Sequence, residues 1–92
     1  MSNASQTVSL AFQALSTIKK GDRATVTGMR TPESDEQRAT QLRLRELGFV
    51  PGEQVRIVAV SFPGNDPIAV RLGNTTFALR RHEAAMVLVQ PL

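Results

Sequence analysis

Few residues in this chain are equipped for chemistry. Its one histidine, His82, precedes Glu83 in "HEAAM". In the zinc-protease motif two histidines one helical turn apart hold the metal, and the glutamate serves as general base. Here Met86 stands where the second histidine would be. A closed metal site takes about four ligands, so His82 and Glu83 make at most a weak peripheral site that borrows Asp66. The plainer reading is a solvent-facing turn. The chain has no cysteine, which excludes thiolate ligands, disulfides and thiol nucleophiles. A phosphate-binding loop needs Gly-Lys followed by Ser or Thr, and neither follows Lys19 or Lys20, the only lysines. Catalysis would then rest on carboxylates. Glu33, Asp35 and Glu36 lie together, but at a helix start, where capping accounts for them. Neither an enzyme nor a cofactor is expected.

Composition narrows the partners. The 92 residues, 41% hydrophobic, suffice for one domain with a modest core. No apolar run approaches the ~18 residues of a membrane helix. No charged region precedes an apolar stretch, so no secretory leader is expected, and a cytoplasmic location is. Ser2-Asn3-Ala4 has the composition of a tag remnant. The net charge is +3 and the pI near 10.6, which invites nucleic acid or an acidic membrane face. The distribution argues otherwise. Basic residues are spread along the chain, with short clusters at Lys19-Lys20, Arg43/Arg45 and Arg80-Arg81, and the 4% aromatics are all Phe. Single-strand binders use aromatic stacking platforms, so the charge reads as a solvated surface and nucleic acid is not an expected partner.

The elements that would position these residues follow from periodicity. Val8, Leu10 and Phe12 alternate, as in a strand or an ordered tail, and could dock on the domain or on a second copy. Leu15 and Ile18 fit one helical turn before Gly21. Ala24, Val26 and Gly28 alternate as a short half-buried strand. The period then changes. Ser34 and Gln37 have capping-box spacing, Asp35 and Glu36 suit the positive end of a helix, and a helix is expected from about 35 to 47. Ala39, Leu42 and Leu47 would share its core face, with Leu44 to the side and Arg38, Arg43 and Arg45 elsewhere. Strands follow. In "QVRIVAVSF", Val55, Ile57 and Ala59 point one way and Val58 and Val60 the other. "IAVRL" and "TTFALR" flank a two-residue hairpin turn at Gly73-Asn74, with Ile68, Val70, Leu72, Phe77 and Leu79 inward. "RHEAA" reads as one helical turn and "MVLVQ" as a last strand. Five short strands and one helix in about 75 residues predict a mainly β domain, a small barrel whose closure removes exposed edges, with the helix inserted between the first two barrel strands.

"LRELGFVPG" is the joint from helix to strand. Gly48 suits the left-handed residue that ends a helix, Phe49 can fold back onto the last turn, Pro51 cannot continue the helix, and Gly52 permits a turn.

The joint, "FPGNDP", "ALRRHEA" and "VLV" occur in one order, and in this the chain resembles the FeoA family of bacterial ferrous iron uptake. Leu44, Leu47, Gly48, Pro51 and Gly52 match the family's first motif, Pro63, Asp66 and Pro67 its second, and Leu79, Arg80, Glu83 and Ala84 its third. Leu15, Ile18, Gly21 and Val26 also resemble its opening. One departure is Asn65, where the family usually has Gly. The match covers roughly residues 15–90, so residues 1–14 are expected to be an extension and 15–92 the FeoA-like domain. The resemblance implies a Src-homology-3-like barrel and a cytosolic partner of FeoB, the membrane permease with a GTPase domain. A similar domain ends iron-dependent repressors of the diphtheria-toxin-repressor type, which leaves a metal-sensing or nucleic-acid-binding barrel as the alternative. Src-homology-3-like barrels that grip Pro-rich peptides line a groove with aromatics. With neither Trp nor Tyr, a different surface is needed. The expected contact surface is Leu44 with Phe49, rimmed by Arg43 and Arg45.

Overall fold

The structure, a computed structural model, describes residues 12–92. Val8 and Leu10 lie outside the described residues, and Phe12 is exposed. In chain order the elements are strand β1 (Gln13–Ala14), a 3-10 turn (Leu15–Thr17), β2 (Arg23–Met29), helix α1 (Asp35–Leu47), β3 (Gln54–Val60), β4 (Ile68–Leu72), β5 (Thr75–Leu79), the short helix α2 (Arg81–Ala84) and β6 (Val87–Pro91). The strands form one antiparallel sheet of six in the order β1-β6-β2-β3-β4-β5. The strand beyond the expected five is β1, a two-residue rung in which Gln13 faces Val89 and Ala14 faces Leu88. Helix α1 connects β2 to β3. Among the described residues no ladder joins β1 to β5, so the sheet curls around its core without closing through hydrogen bonds.

Alternation explains most of the core. Ala24 and Val26 of β2, Val55 and Ile57 of β3, Ile68 and Val70 of β4, Leu79 of β5 and Val87 and Val89 of β6 are buried in one cluster with Leu15, Ile18, Leu44, Phe49, Ala84 and Met86. Two bulges interrupt the period. One falls between Val26 and Gly28 against β6, the other between Ile57 and Ala59 against β4. The second corrects the expected inward face of β3. An extra residue in one strand flips every side chain beyond it, so Val60 packs against the core while Ala59 is exposed. The β4–β5 hairpin turns at Gly73-Asn74, with Leu72 opposite Thr75. Gly73 has φ 59°, and a positive φ at the first turn residue is the requirement of a type II′ turn.

Helix α1 starts where the capping signal places it. Ser34 Oγ accepts from the Gln37 N–H at 3.0 Å. The reciprocal half is shifted by one residue, since Gln37 Oε1 accepts from Glu33 N–H at 2.7 Å. At the other end Gly48 has φ 115°. Its N–H donates to the Arg45 carbonyl and the Phe49 N–H to the Leu44 carbonyl, both at 3.0 Å. These are the two bonds of a Schellman motif, and the accompanying apolar contact is expected between Leu44 and Phe49. Both are fully buried in the same cluster, and the Phe49 ring meets that of Phe77 at 5.6 Å between centroids. Gly52 N–H donates to the Val26 carbonyl at 2.8 Å, and Val26 N–H to the Glu53 carbonyl at 2.8 Å, so the joint is stitched to β2.

The expected core face of α1 is wrong. Ala39, Leu42 and Leu47 are exposed, and the one buried residue of the helix is Leu44. The stripe turned inward is Gln37, Thr40, Gln41 and Leu44, three of them polar and half-buried. Helical spacing identifies a core face only when the helix lies along the core. This helix touches the core at its last turn and stands over an open groove along the rest.

Candidate functional site

Two of the expected contact residues are not available for contact. Leu44 and Phe49 are fully buried, because the cap that terminates α1 folds both into the core. The rim splits as well. Arg45 is exposed, whereas Arg43, half-exposed, is ion-paired with Glu83. The large apolar side chains that α1 and the joint leave in solvent are Leu42 at 54%, Leu47 at 37% and Val50 at 38% exposure. Leu42 lies on the side opposite Leu44, flanked along the helix by Arg38 and Arg45.

The motif residues act mainly through backbone. Glu83 Oε1 accepts from the Arg80 N–H at 2.8 Å, while its second oxygen pairs with Arg43. One carboxylate thereby caps α2 and ties it to α1. Asp66 Oδ1 accepts from the Arg81 N–H at 3.0 Å, so the 61–67 loop supplies a second acceptor to the same helix start. The Arg80 side chain is exposed, and its carbonyl accepts from Glu83 and Ala84. Sequence reasoning missed the neighbouring Arg81, whose Nε donates to the Asn65 carbonyl at 2.5 Å and Nη1 to the Ser16 carbonyl at 2.6 Å. Nothing in the local pattern separates Arg81 from Arg80; only the tertiary fold decides which guanidinium reaches the loop. Asn65, the departure from the family's Gly, has φ 59°. Asn is among the few non-glycine residues that tolerate this region. Asn65 therefore holds a backbone conformation that glycine also adopts freely. Pro63 is exposed, Pro67 half-buried and Leu79 buried. Pro51 is exposed at the joint.

Of the three residues in the metal reading, the two carboxylates are engaged with backbone. Asp66 and Glu83 both spend an oxygen on backbone N–H groups of α2. His82 is exposed and faces the groove under α1, which Glu36, Gln37, Thr40 and Met86 also line. Among the described residues, no three His, Asp or Glu side chains are placed to hold one ion. No helix of the described residues is long and apolar enough to cross a membrane.

Comparison with known proteins supplies the family. The model of the FeoA domain matches residues 13–91. The chain belongs to the FeoA family. That family is associated with ferrous iron transport, and its solved structures carry a Src-homology-3-like fold. A zinc-complexed FeoA of Stenotrophomonas maltophilia, described as a prokaryotic SH3-domain protein and a candidate ferrous iron transport activating factor, is 42% identical, with 83% of this chain and 87% of that one covered and a TM-score of 0.73. A FeoA-like protein of Clostridium acetobutylicum is 29% identical, with 89% and 88% covered and a TM-score of 0.75. The FeoA of Chlorobium tepidum is 34% identical, with 87% and 70% covered and a TM-score of 0.72. A manganese-dependent transcriptional repressor in complex with manganese shares the fold alone, at 20% identity and a TM-score of 0.73 over 37% of its length. No curated protein matches the chain.

Proposed function

We propose that this FeoA protein is a non-enzymatic accessory factor of bacterial ferrous iron uptake that works in the cytoplasm by binding a FeoB-type permease with a GTPase domain. Family membership supports the setting. The observation that carries the binding role is the posture of α1. The helix commits one residue, Leu44, to the core and turns Leu42 to solvent. An apolar residue with a charged rim is the anatomy of an interface anchor. The contact surface is therefore Leu42, with Arg45 and Arg38 at its rim and Leu47 and Val50 at the joint.

The test separates anchor from core. Leu42→Ser should leave the melting temperature nearly unchanged, because surface substitutions away from special features cost within ~0.5 kcal/mol. It should also abolish retention of the detergent-solubilised permease on the immobilised protein. Leu44→Ala should instead lower stability by ~2–5 kcal/mol, the range for truncating a buried leucine. Retention of the permease by a folded Leu42→Ser protein would remove this face from the interface.

A further inference from the structure

We propose that the cavity between the Leu15–Thr17 turn and the 61–67 loop is a binding site for a phosphate group. It measures about 370 Å³, and Ser16, Thr17, Lys19, Lys20, Asn65 and Arg81 line it. Three of those side chains are cationic and none is anionic. Arg81 is the fixed member, held by the carbonyls of Asn65 and Ser16. Carbonyl oxygens orient a guanidinium without neutralising it, and among the described residues its hydrogen bonds are those from Nε and Nη1. Among the described residues neither lysine forms an ion pair. Asp22 and Asp66 accept from the backbone N–H groups of Lys19 at 3.3 Å and Arg81 at 3.0 Å, and neither lines the cavity. Thr17 Oγ1 donates to the Ala14 carbonyl at 2.7 Å and keeps its acceptor face, which leaves Ser16 as the hydroxyl donor. One oriented guanidinium, two exposed ammonium groups and a hydroxyl suit an oxyanion with three free oxygens.

The loop itself indicates the source of that phosphate. Asn65 N–H donates to the Ser61 carbonyl at 2.7 Å, and Ser61 N–H to the Pro67 carbonyl at 3.1 Å. The loop is thus closed on itself, and on it Phe62 is 93% exposed. An unshielded aromatic ring on the same loop as a cationic cavity matches an interfacial lipid surface, with the ring at the acyl boundary and the cations at headgroup phosphates. The favoured ligand is the phosphate of an anionic lipid headgroup. This site is on different residues from the α1 surface and does not depend on the permease reading.

Sedimentation of the full chain with vesicles tests it, alongside amide-shift titration with inorganic phosphate at constant ionic strength. With phosphatidylglycerol-containing vesicles the protein should pellet, and with pure phosphatidylcholine it should stay in solution. Lys19→Gln/Lys20→Gln should lower the partition coefficient by about tenfold or more, given the contribution of each basic residue near an anionic surface, and Phe62→Ser should lower it too. Should the protein ignore vesicles while inorganic phosphate shifts the amides of Ser16, Lys20 and Asn65 in the native chain but not in the double lysine variant, the phosphate site stands and its ligand is free. Binding to neither probe overturns the proposal, as does binding that the double lysine variant leaves unchanged.

Discussion

Gly48 concentrates two constraints at one residue. Its φ of 115° lies in the region that side chains avoid, and a Cβ there would stand 2.9 Å from Leu72 Cδ2. Gly48→Ala should therefore cost at least ~1 kcal/mol from the backbone alone, read as a lowered urea midpoint at unchanged slope. Asn65 offers the converse. Its φ of 59° is one that glycine occupies freely, so Asn65→Gly should be neutral or stabilising by a few tenths of a kcal/mol, whereas Asn65→Val should cost ~1 kcal/mol or more. Comparing the three midpoints checks both statements. Gly48 is legible in the sequence, because a left-handed helix cap selects a few residue types on its own, whereas the positive φ of Asn65 is not read there. The burial of Leu44 and Phe49 and the work of Arg81 are not legible either, because they depend on what lies across the fold.

Elements were legible where they lie flat on the core. The alternation of β4 is read correctly from sequence, β6 is read as a strand without its faces, and β3 is read correctly as far as Ile57, where the bulge leaves no compositional mark. β1 escapes a periodicity reading because two residues carry no period. The face of α1 differs from the expected one for a mechanical reason. Apolar spacing at Ala39, Leu42 and Leu47 predicts a core face, but a helix anchored by one turn has most of its surface free to serve other ends. That posture has a measurable correlate. Local stability follows buried apolar contact, so the amides of α1 before Leu44 should exchange with solvent through openings well below the global unfolding energy. Those of β2, which is paired on both sides with β3 and β6, should exchange only by global unfolding. Native-state hydrogen exchange measures both, and equal protection of the two segments would contradict the loose docking of the helix.

At the scale of the whole molecule the sheet order decides what can be removed. β6 sits between β1 and β2 and brings Val87 and Val89 to the core. A chain ending at Ala85 loses the strand on which two others pair, and it should be unfolded by circular dichroism rather than merely weakened. Sheet topology of this kind is the part of the fold that periodicity alone does not supply, since alternation marks each strand and is silent about its neighbours. The position of β6 also bears on how a cell makes the protein. Thr25 must wait for Gln90, and Ala24 for Pro91, so more than sixty residues separate the partners in order of synthesis. The ribosome delivers β2, α1 and the β3–β5 meander before the strand that holds them together exists. Until then β2 has one bare edge and the core has one open wall. Assembly must therefore await the emergence of β6, and the nascent chain is at its most vulnerable to proteases and chaperones until that strand appears.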